Sequence, residues 1–425
     1  MAAAVAGRTA LSPTSRVLIG LVLGAAGGLG LAAWWPDAAL PVADAVQPFG
    51  RLWLNALQMT VVPLVFALVV VGVNTASDAA ASGRIARRAI VAFLLILTGG
   101  ALFAAAVAPR LFALFPHNPA LTTALDSAVA SHAPPITAAV GWAEWFNGIV
   151  PANAIMAAAQ SAMLPLVVFA LFFGFGLTRI DATRRALVVS FFQAIADTMI
   201  VVVRWVLWVA PLGVFALILA VCARAGLHML SALGIYVLVE CLLYLAVTLL
   251  MLPVAIIWGG ETLRRFVPAL IPAQIVAAST QSSLASLPAM LESAERRLGY
   301  PPQVNALVLP MAVSLCRLTS PIQYVTSACF IAWAYGIDVG AAPLFAAALL
   351  AVVISLGSVG LPGAVSFMAT NLPVAQAMGV PVGPLGLMLA VDALPDALAT
   401  LGNVTADLTA TSVVARQTAR DSAKA

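Results

Sequence analysis

An all-α polytopic membrane fold is predicted by three features of this chain: its composition, the length of its apolar runs and the placement of its arginines. Hydrophobic residues fill 63% of the 425 positions and charged residues only 8%, against about 45–50% and about 25% in ordinary soluble domains. Backbone polar groups cannot stay unpaired in lipid, so only helices and closed barrels span it. A barrel would alternate apolar and polar residues, whereas the runs here are continuously apolar. The arginines gather in short connections: Arg84, Arg87 and Arg88, then Arg179, Arg184 and Arg185, then Arg264 and Arg265, then Arg296 and Arg297, then Arg416 and Arg420 with Lys424. Short cytoplasmic loops carry such an excess. Both termini are therefore expected in the cytoplasm, with the chain multi-pass in the inner (plasma) membrane. The net charge of +4 reads as topology and not as a nucleic-acid surface.

Residues 1–15 read as a cytoplasmic tail. Apolar segments follow at about 16–36, 49–75, 87–115, 163–179, 187–225 and 228–258. Several exceed the ~20 residues of a perpendicular span, so they tilt or project beyond the bilayer. The first ends at Trp34-Trp35-Pro36 with no small-residue cleavage site, and is expected to remain as a span. Arg51 and Arg110 stand against the charge rule, as snorkelling residues at the outer interface. Pro116 to Ala162 reads as an external connection. Cys222, Cys241, Cys316 and Cys329 lack metal-ligand spacing and are expected as buried thiols. His117, His132 and His228 fall in outer loops. No metal site, cofactor or nucleophile-and-base set is expected, so the chain is not read as an enzyme.

After Gly260 the pattern changes. Residues 262–297 hold two apolar pieces around Ser279-Thr280-Gln281-Ser282-Ser283, each too short to span, with arginine pairs at both ends. A segment that enters and leaves on one face is a re-entrant hairpin. Residues 341–375 repeat the design around Ser355-Leu356-Gly357-Ser358-Val359-Gly360-Leu361-Pro362-Gly363, without basic ends. Two oppositely oriented hairpins, each followed by a long helix, are what inverted repeats predict for a secondary transporter. Two kinked full spans are the alternative. Between them, 302–335 contains Leu315-Cys316-Arg317-Leu318-Thr319-Ser320-Pro321. Pro321 lacks a backbone donor and Thr319 and Ser320 compete for the backbone, so the helix is expected to break there. Arg317 is then the basic residue nearest mid-span beside the site. Arg204 is the other embedded arginine, assigned to scaffold.

Residues 385–416 carry Asp392, Asp396 and Asp407, with Thr400 and Asn403 between them. On one continuous helix, at about 100° per residue, the five fall within an arc of about 80°. A carboxylate at the bilayer centre costs about 2.5–3.5 kcal/mol on insertion scales. Helix-to-helix hydrogen bonding accounts for a single polar residue. Three acids with an amide and a hydroxyl are expected to wall a solute or ion site.

Five motifs in order now bear on family. They are Phe49-Gly50-Arg51-Leu52-Trp53-Leu54-Asn55 through Met59-Thr60-Val61-Val62-Pro63-Leu64-Val65-Phe66; Pro211-Leu212-Gly213-Val214-Phe215-Ala216-Leu217; Ser282-Ser283-Leu284-Ala285-Ser286-Leu287-Pro288; Gly360-Leu361-Pro362-Gly363; and Asn403-Val404-Thr405-Ala406-Asp407. Together they resemble the second helix, the fifth helix, the two hairpin tips and the last helix of the glutamate transporter family, the dicarboxylate/amino acid:cation symporters, over nearly the whole chain. The resemblance implies eight transmembrane helices plus two re-entrant hairpins, and a homotrimer. A scaffold of 16–86 and 163–227 would hold still. A transport domain of 87–115 and 228–416 would move as an elevator. Its parts would be hairpin one at 262–297, the broken helix 302–335, hairpin two at 341–375 as gate, and the last helix 381–416, followed by a tail at 417–425.

This chain also departs from that family. Its broken helix reads Asn-Met-Asp-Gly-Thr in relatives and Cys316-Arg317-Leu318-Thr319-Ser320 here. Sodium wants oxygen ligands, and Leu318 offers none, so one sodium site is expected to be lost. Asp407 and Asn403 are the residual sodium candidates. Acidic-substrate relatives place an arginine where Ala399 stands; Arg317 can offer the same planar fork from the opposite wall, or pair structurally with an aspartate. By resemblance, Asp396 takes the substrate ammonium, Asn403 and Ser283 with Ser282 and the Gly360–Pro362 backbone hold the α-carboxylate, and Ser320 and Thr400 add hydroxyls. The expected function is symport of aspartate or glutamate with protons. Arg317 would stand in for sodium, and Asp407 or Asp392 would take up a proton when substrate draws Arg317 away, because burial without a counter-charge favours the neutral acid. Glu240 and Asp197 are further candidates. Sodium-coupled transport of an amino acid or C4-dicarboxylate is the alternative, and an uncoupled facilitator or anion channel a third.

Overall fold

Continuous apolar runs must satisfy their backbone within each segment, and all regular structure among the described residues is helical. The computed structural model describes residues 13–81, 83–116, 122, 125, 149–225, 227–357, 363–392 and 395–422. The helices are α1 (Pro13–Trp34), α2 (Pro36–Gln58), α3 (Val61–Ala81), α4 (Arg84–Phe112), α5 (Ala154–Ala159), α6 (Met163–Leu177), α7 (Ala182–Trp208), α8 (Ala210–Ala225) and α9 (Leu227–Ile257). There follow α10 (Leu263–Thr280), α11 (Ser283–Glu292) with a π turn at Ser293–Arg297, α12 (Pro302–Leu315), α13 (Thr319–Tyr335), α14 (Ala341–Gly357), α15 (Gly363–Ala377), α16 (Leu385–Val391) and α17 (Asp396–Ser422).

Their ends follow local chemistry. Pro36 opens α2 and Pro302 opens α12, where a missing N–H costs nothing. Asp181 caps α7, its carboxylate accepting from the backbone of Thr183 at 3.0 Å and Arg184 at 3.3 Å. Gly336, at φ 65°, ends α13 in the left-handed region. Two stretches expected as single segments are divided. Residues 49–75 break at Met59-Thr60, and 187–225 break at Val209, after which α8 begins at Ala210 with Pro211 in its first turn. Among the described residues, six helical stretches are long and apolar enough to cross a membrane, or seven if the bent pair α16 and α17 counts as one.

Helix α8 packs along α1 and α2, while α3 packs on α6 and α7. Phe66 of α3 stacks on Phe169 of α6 at 5.8 Å and meets Phe192 of α7 edge-on at 5.3 Å. Helix α17 lies against α9, α10, α12 and α4 and is buried along most of its length. Helix α13 packs on α4, α14 and α15. Helices α3 and α14 cross at two glycines: a Cβ on Gly72 would lie 2.7 Å from the Gly357 Cα.

Two ties fasten the far end of α17. Arg416 donates to the carbonyls of Ile257 at 2.8 Å and Trp258 at 3.1 Å, groups that the end of α9 leaves without helical partners. Asp421 accepts from Arg88 at 2.6 Å and Arg84 at 3.1 Å, and these bonds hold its carboxyl below the usual carboxylate range.

Candidate functional site

Three interruptions of helix meet beside α17. The first lies between α10 and α11. Gln281 ends α10 at φ 51°, in the left-handed region, and the Ser282 hydroxyl caps α11 by accepting from the Ala285 N–H at 3.3 Å. Ser282 and Ser283 are half-buried at this break. Gln274 ties the element to α17 through Thr405 at 3.1 Å.

The second separates α12 from α13 at Cys316–Leu318. The first turn of α13 has backbone N–H groups with no helical partner. Asn403 meets that need: its Oδ1 accepts from the Thr319 N–H and the Thr319 hydroxyl, each at 3.0 Å. A backbone donor can only meet the amide oxygen, which fixes the orientation of Asn403. Its Nδ2 is the end that a ligand would meet. Ser320 is buried in the same turn. The Ser355 hydroxyl of α14 approaches the Arg317 carbonyl at 3.5 Å, so the first arm of 341–375 touches this break.

The third corrects an expectation. Residues 385–416 are not one helix: α16 stops at Val391, α17 starts at Asp396, and their axes meet at 81°. Pro395 supplies the reason. It has no N–H to donate and disfavours helical backbone at the residue before it. The shared arc therefore holds only for Asp396, Thr400, Asn403 and Asp407. Asp392 reaches the site from the other side of the bend, accepting a hydrogen bond from Gln323 Nε2 of α13.

Arg317 acts electrostatically on Asp392, Asp396 and Asp407, so the guanidinium and all three acids share one neighbourhood. Asp396 is half-buried, and its carbonyl accepts from the Thr400 hydroxyl at 2.9 Å. Asp407 is only 1% exposed, and among the described residues neither carboxylate oxygen has a hydrogen-bond partner. A buried carboxylate in that condition needs a cation or a proton. Gly360 and Pro362, expected at the gate, lie outside the described residues, as do His117 and His132. Asp197 is exposed on α7, where Gln193 donates to it at 3.0 Å. Arg204 is likewise exposed on α7.

Sequence reasoning missed Gln323, Tyr236 and Tyr244. Gln323 is an uncharged residue with no motif around it. The tyrosines flank Glu240 at four-residue spacing on α9, a stripe that helical periodicity could have found.

Comparison with known proteins bears on the same residues. The model of the sodium:dicarboxylate symporter family matches residues 14–417. The chain belongs to the sodium:dicarboxylate symporter family. Within this family it is 31% identical over 380 residues to the proton/glutamate-aspartate symporter of Escherichia coli (strain K12), covering 88% of this chain and 86% of that relative. It is 28% identical over 410 residues to the proton/sodium-glutamate symport protein of Bacillus subtilis (strain 168), covering 95% and 92%. It is 23% identical over 409 residues to the C4-dicarboxylate transport protein of the same organism, covering 95% and 93%. The chain is a multi-pass membrane symporter of this family and not an enzyme.

Proposed function

We propose that this chain carries an acidic amino acid, aspartate or glutamate, across the membrane together with protons. The observation that carries this reading is the single guanidinium of Arg317 beside Asp392, Asp396 and Asp407. A guanidinium stays charged at any physiological pH, and one such charge cannot balance three ionised acids. Cations must complete the site. An acidic amino acid brings an ammonium for Asp396 and a carboxylate for the Arg317 fork, with Asn403 Nδ2, Ser282, Ser283, Ser320, Thr400 and the Gly360–Pro362 backbone completing the contacts. Engaging that carboxylate withdraws Arg317 from the acids, and Asp407 or Asp392 then takes a proton from water on the open side. Each proton carried across 100 mV supplies about 2.3 kcal/mol.

Helices α10 with α11 and α14 with α15 serve as two re-entrant hairpins, the second as the gate. Helices α4 and α9–α17 travel together as an elevator past α1–α3 and α6–α8 in a homotrimer. The packing of α4 and α9–α13 around α17 supports this division.

One observation favours a second reading. Both oxygens of Asp407 lack a hydrogen-bond partner among the described residues, and a sodium ion could meet them as well as a proton. The relatives include one named for protons and sodium and one named for C4-dicarboxylates. Uptake into proteoliposomes separates the readings. An inward pH gradient without sodium is expected to drive labelled aspartate accumulation. Drive by sodium alone, with no response to the pH gradient, rejects proton coupling. Succinate carried in preference to aspartate rejects the amino-acid substrate.

A further inference from the structure

Tyr236, Glu240 and Tyr244 occupy one face of α9 on successive turns, and all three are buried. Glu240 is 0% exposed. Its Oε1 accepts from the Tyr244 hydroxyl at 2.7 Å, and its buried Oε2 has no close hydrogen-bond partner among the described residues, with Tyr236 and Gln323 beside the carboxyl. Tyr236 pairs with Ser327 of α13 at 3.2 Å and fixes α9 against that helix. One and a bit turns earlier on α13, Gln323 gives its Nε2 to Asp392 Oδ1 and lies against the Glu240 carboxyl as well. Two acids 152 positions apart in the chain thus meet at one amide, and Glu240 acts electrostatically on Asp392.

The surroundings supply little compensating charge. Facing Glu240 are Tyr236, Tyr244 and Cys241 of its own helix, Asp392 at the end of α16 and Asp396 at the start of α17. Helix α13 contains no charged residue. Helix α4 keeps its charges near its ends, at Arg84, Arg87, Arg88 and Arg110; α8 has Arg224 in its last turn; α10 has Arg264 and Arg265 in its first turn. Arg317 acts on Asp392 and Asp396 from the neighbouring break. Two ionised carboxylates in so dry a place oppose each other, and a primary amide has two N–H groups but no charge to give. Paired buried acids resolve this by holding one proton between them.

We propose that Glu240 and Asp392 share one proton across Gln323, and that this shared site carries the coupling proton of the transport cycle. It rests on the proton-coupled reading above and places the proton on α9 and the α16 end. The proton arrives from water on the open side, forms one carboxyl O–H bond, and leaves to water on the other side; no other bond changes. The site has consequences for the cycle because Gln323, Asp392 and Arg317 adjoin. Substrate that draws Arg317 away removes a positive charge near Asp392, and the pair then has to keep its proton.

Glutamine imitates the protonated acid, so Glu240→Gln isolates the coupling step. With one pH unit across the membrane, one coupled proton supports about tenfold accumulation. In proteoliposomes E240Q should continue to exchange internal for external aspartate and should lose that tenfold accumulation, while Glu240→Asp should recover part of it. Wild-type accumulation in E240Q overturns the proposal. If E240Q has lost exchange as well, Gln323→Met is read the same way, and unchanged pH-gradient drive in Q323M overturns it. A variant-free measurement stands beside these. Dicyclohexylcarbodiimide reacts with protonated buried carboxyls, and peptide mass spectrometry of the wild type should find the adduct on Glu240 or Asp392; label on neither overturns the shared proton. A wild type driven by sodium and indifferent to pH rejects the coupling reading itself and this role with it, an outcome distinct from a pH-driven wild type whose E240Q variant is equally pH-driven.

Discussion

Asn403 of α17 accepts two hydrogen bonds from Thr319, from its N–H and its hydroxyl, at 3.0 Å each, and that hydroxyl also lies 3.3 Å from the Ala399 carbonyl. Two helices that meet at the site are therefore locked in register by a cap that comes from another helix. Replacing such a cap by alanine costs about 0.5–2 kcal/mol, and leaving the N–H buried without a partner costs about 1–3 kcal/mol. Asn403→Ala is expected to lower the thermal unfolding midpoint of the purified protein and weaken aspartate binding together. Asn403→Asp keeps the acceptor and should recover most of the stability but not the binding.

Arg317→Met should reduce aspartate affinity by about a hundredfold or more, since two decades correspond to about 2.7 kcal/mol, the scale of a buried bidentate pair. Arg317→Lys preserves the charge and discards the fork, so it should fall between. Calorimetric titration of purified protein measures both. Affinity retained in Arg317→Met would put the carboxylate partner elsewhere.

Asp407→Asn removes a carboxylate whose oxygens have no partner and leaves a neutral group of the same size. The substrate-free protein should be at least as stable as the wild type, because a costly buried charge has gone. A sodium ion held at Asp407 should lose its effect, while a coupling proton on the Glu240 and Asp392 pair should keep its own. Aspartate affinity should therefore flatten against sodium in the variant and stay dependent on pH.

Asp421 gives a pH-dependent tie. Hydrogen bonds from Arg88 and Arg84 hold its carboxyl below the ordinary range. A depressed carboxyl stabilises the fold above its unfolded-state value, and the contribution disappears as pH falls through the folded value. Asp421→Asn should therefore lower the unfolding midpoint slightly at neutral pH and low salt. The difference from wild type should vanish in acid, and also in salt well above 0.1 M, where screening acts within about 10 Å.

Much of the site could be read from sequence for one physical reason: charge is so scarce in this chain that each embedded acid or base stands out. Arg317 and the break around it were legible because Pro321 and two hydroxyl residues follow directly. The bend before Asp396 was legible too, in Pro395, but the regular spacing of the aspartates suggested an uninterrupted helix. Tertiary partners were not legible. Nothing in the sequence pairs Asn403 with Thr319 or Gln323 with Asp392, because those contacts arise from packing between helices 69 to 84 positions apart. The crossing of α3 and α14 at Gly72 and Gly357 was hidden for the same reason.

The burial of α17 bears on how the chain is made. This helix bears acids, an amide and several hydroxyls, and would be a poor candidate to enter lipid unaided. It follows α4, α9, α10 and α12 in chain order, and those are the helices that enclose it. Synthesis from the N-terminus delivers the more apolar helices first. When α17 leaves the ribosome its receptor is already in the membrane, so its insertion is an act of assembly. Moving this segment toward the front of the chain by circular permutation would take away that shelter and should leave it stranded outside the bilayer.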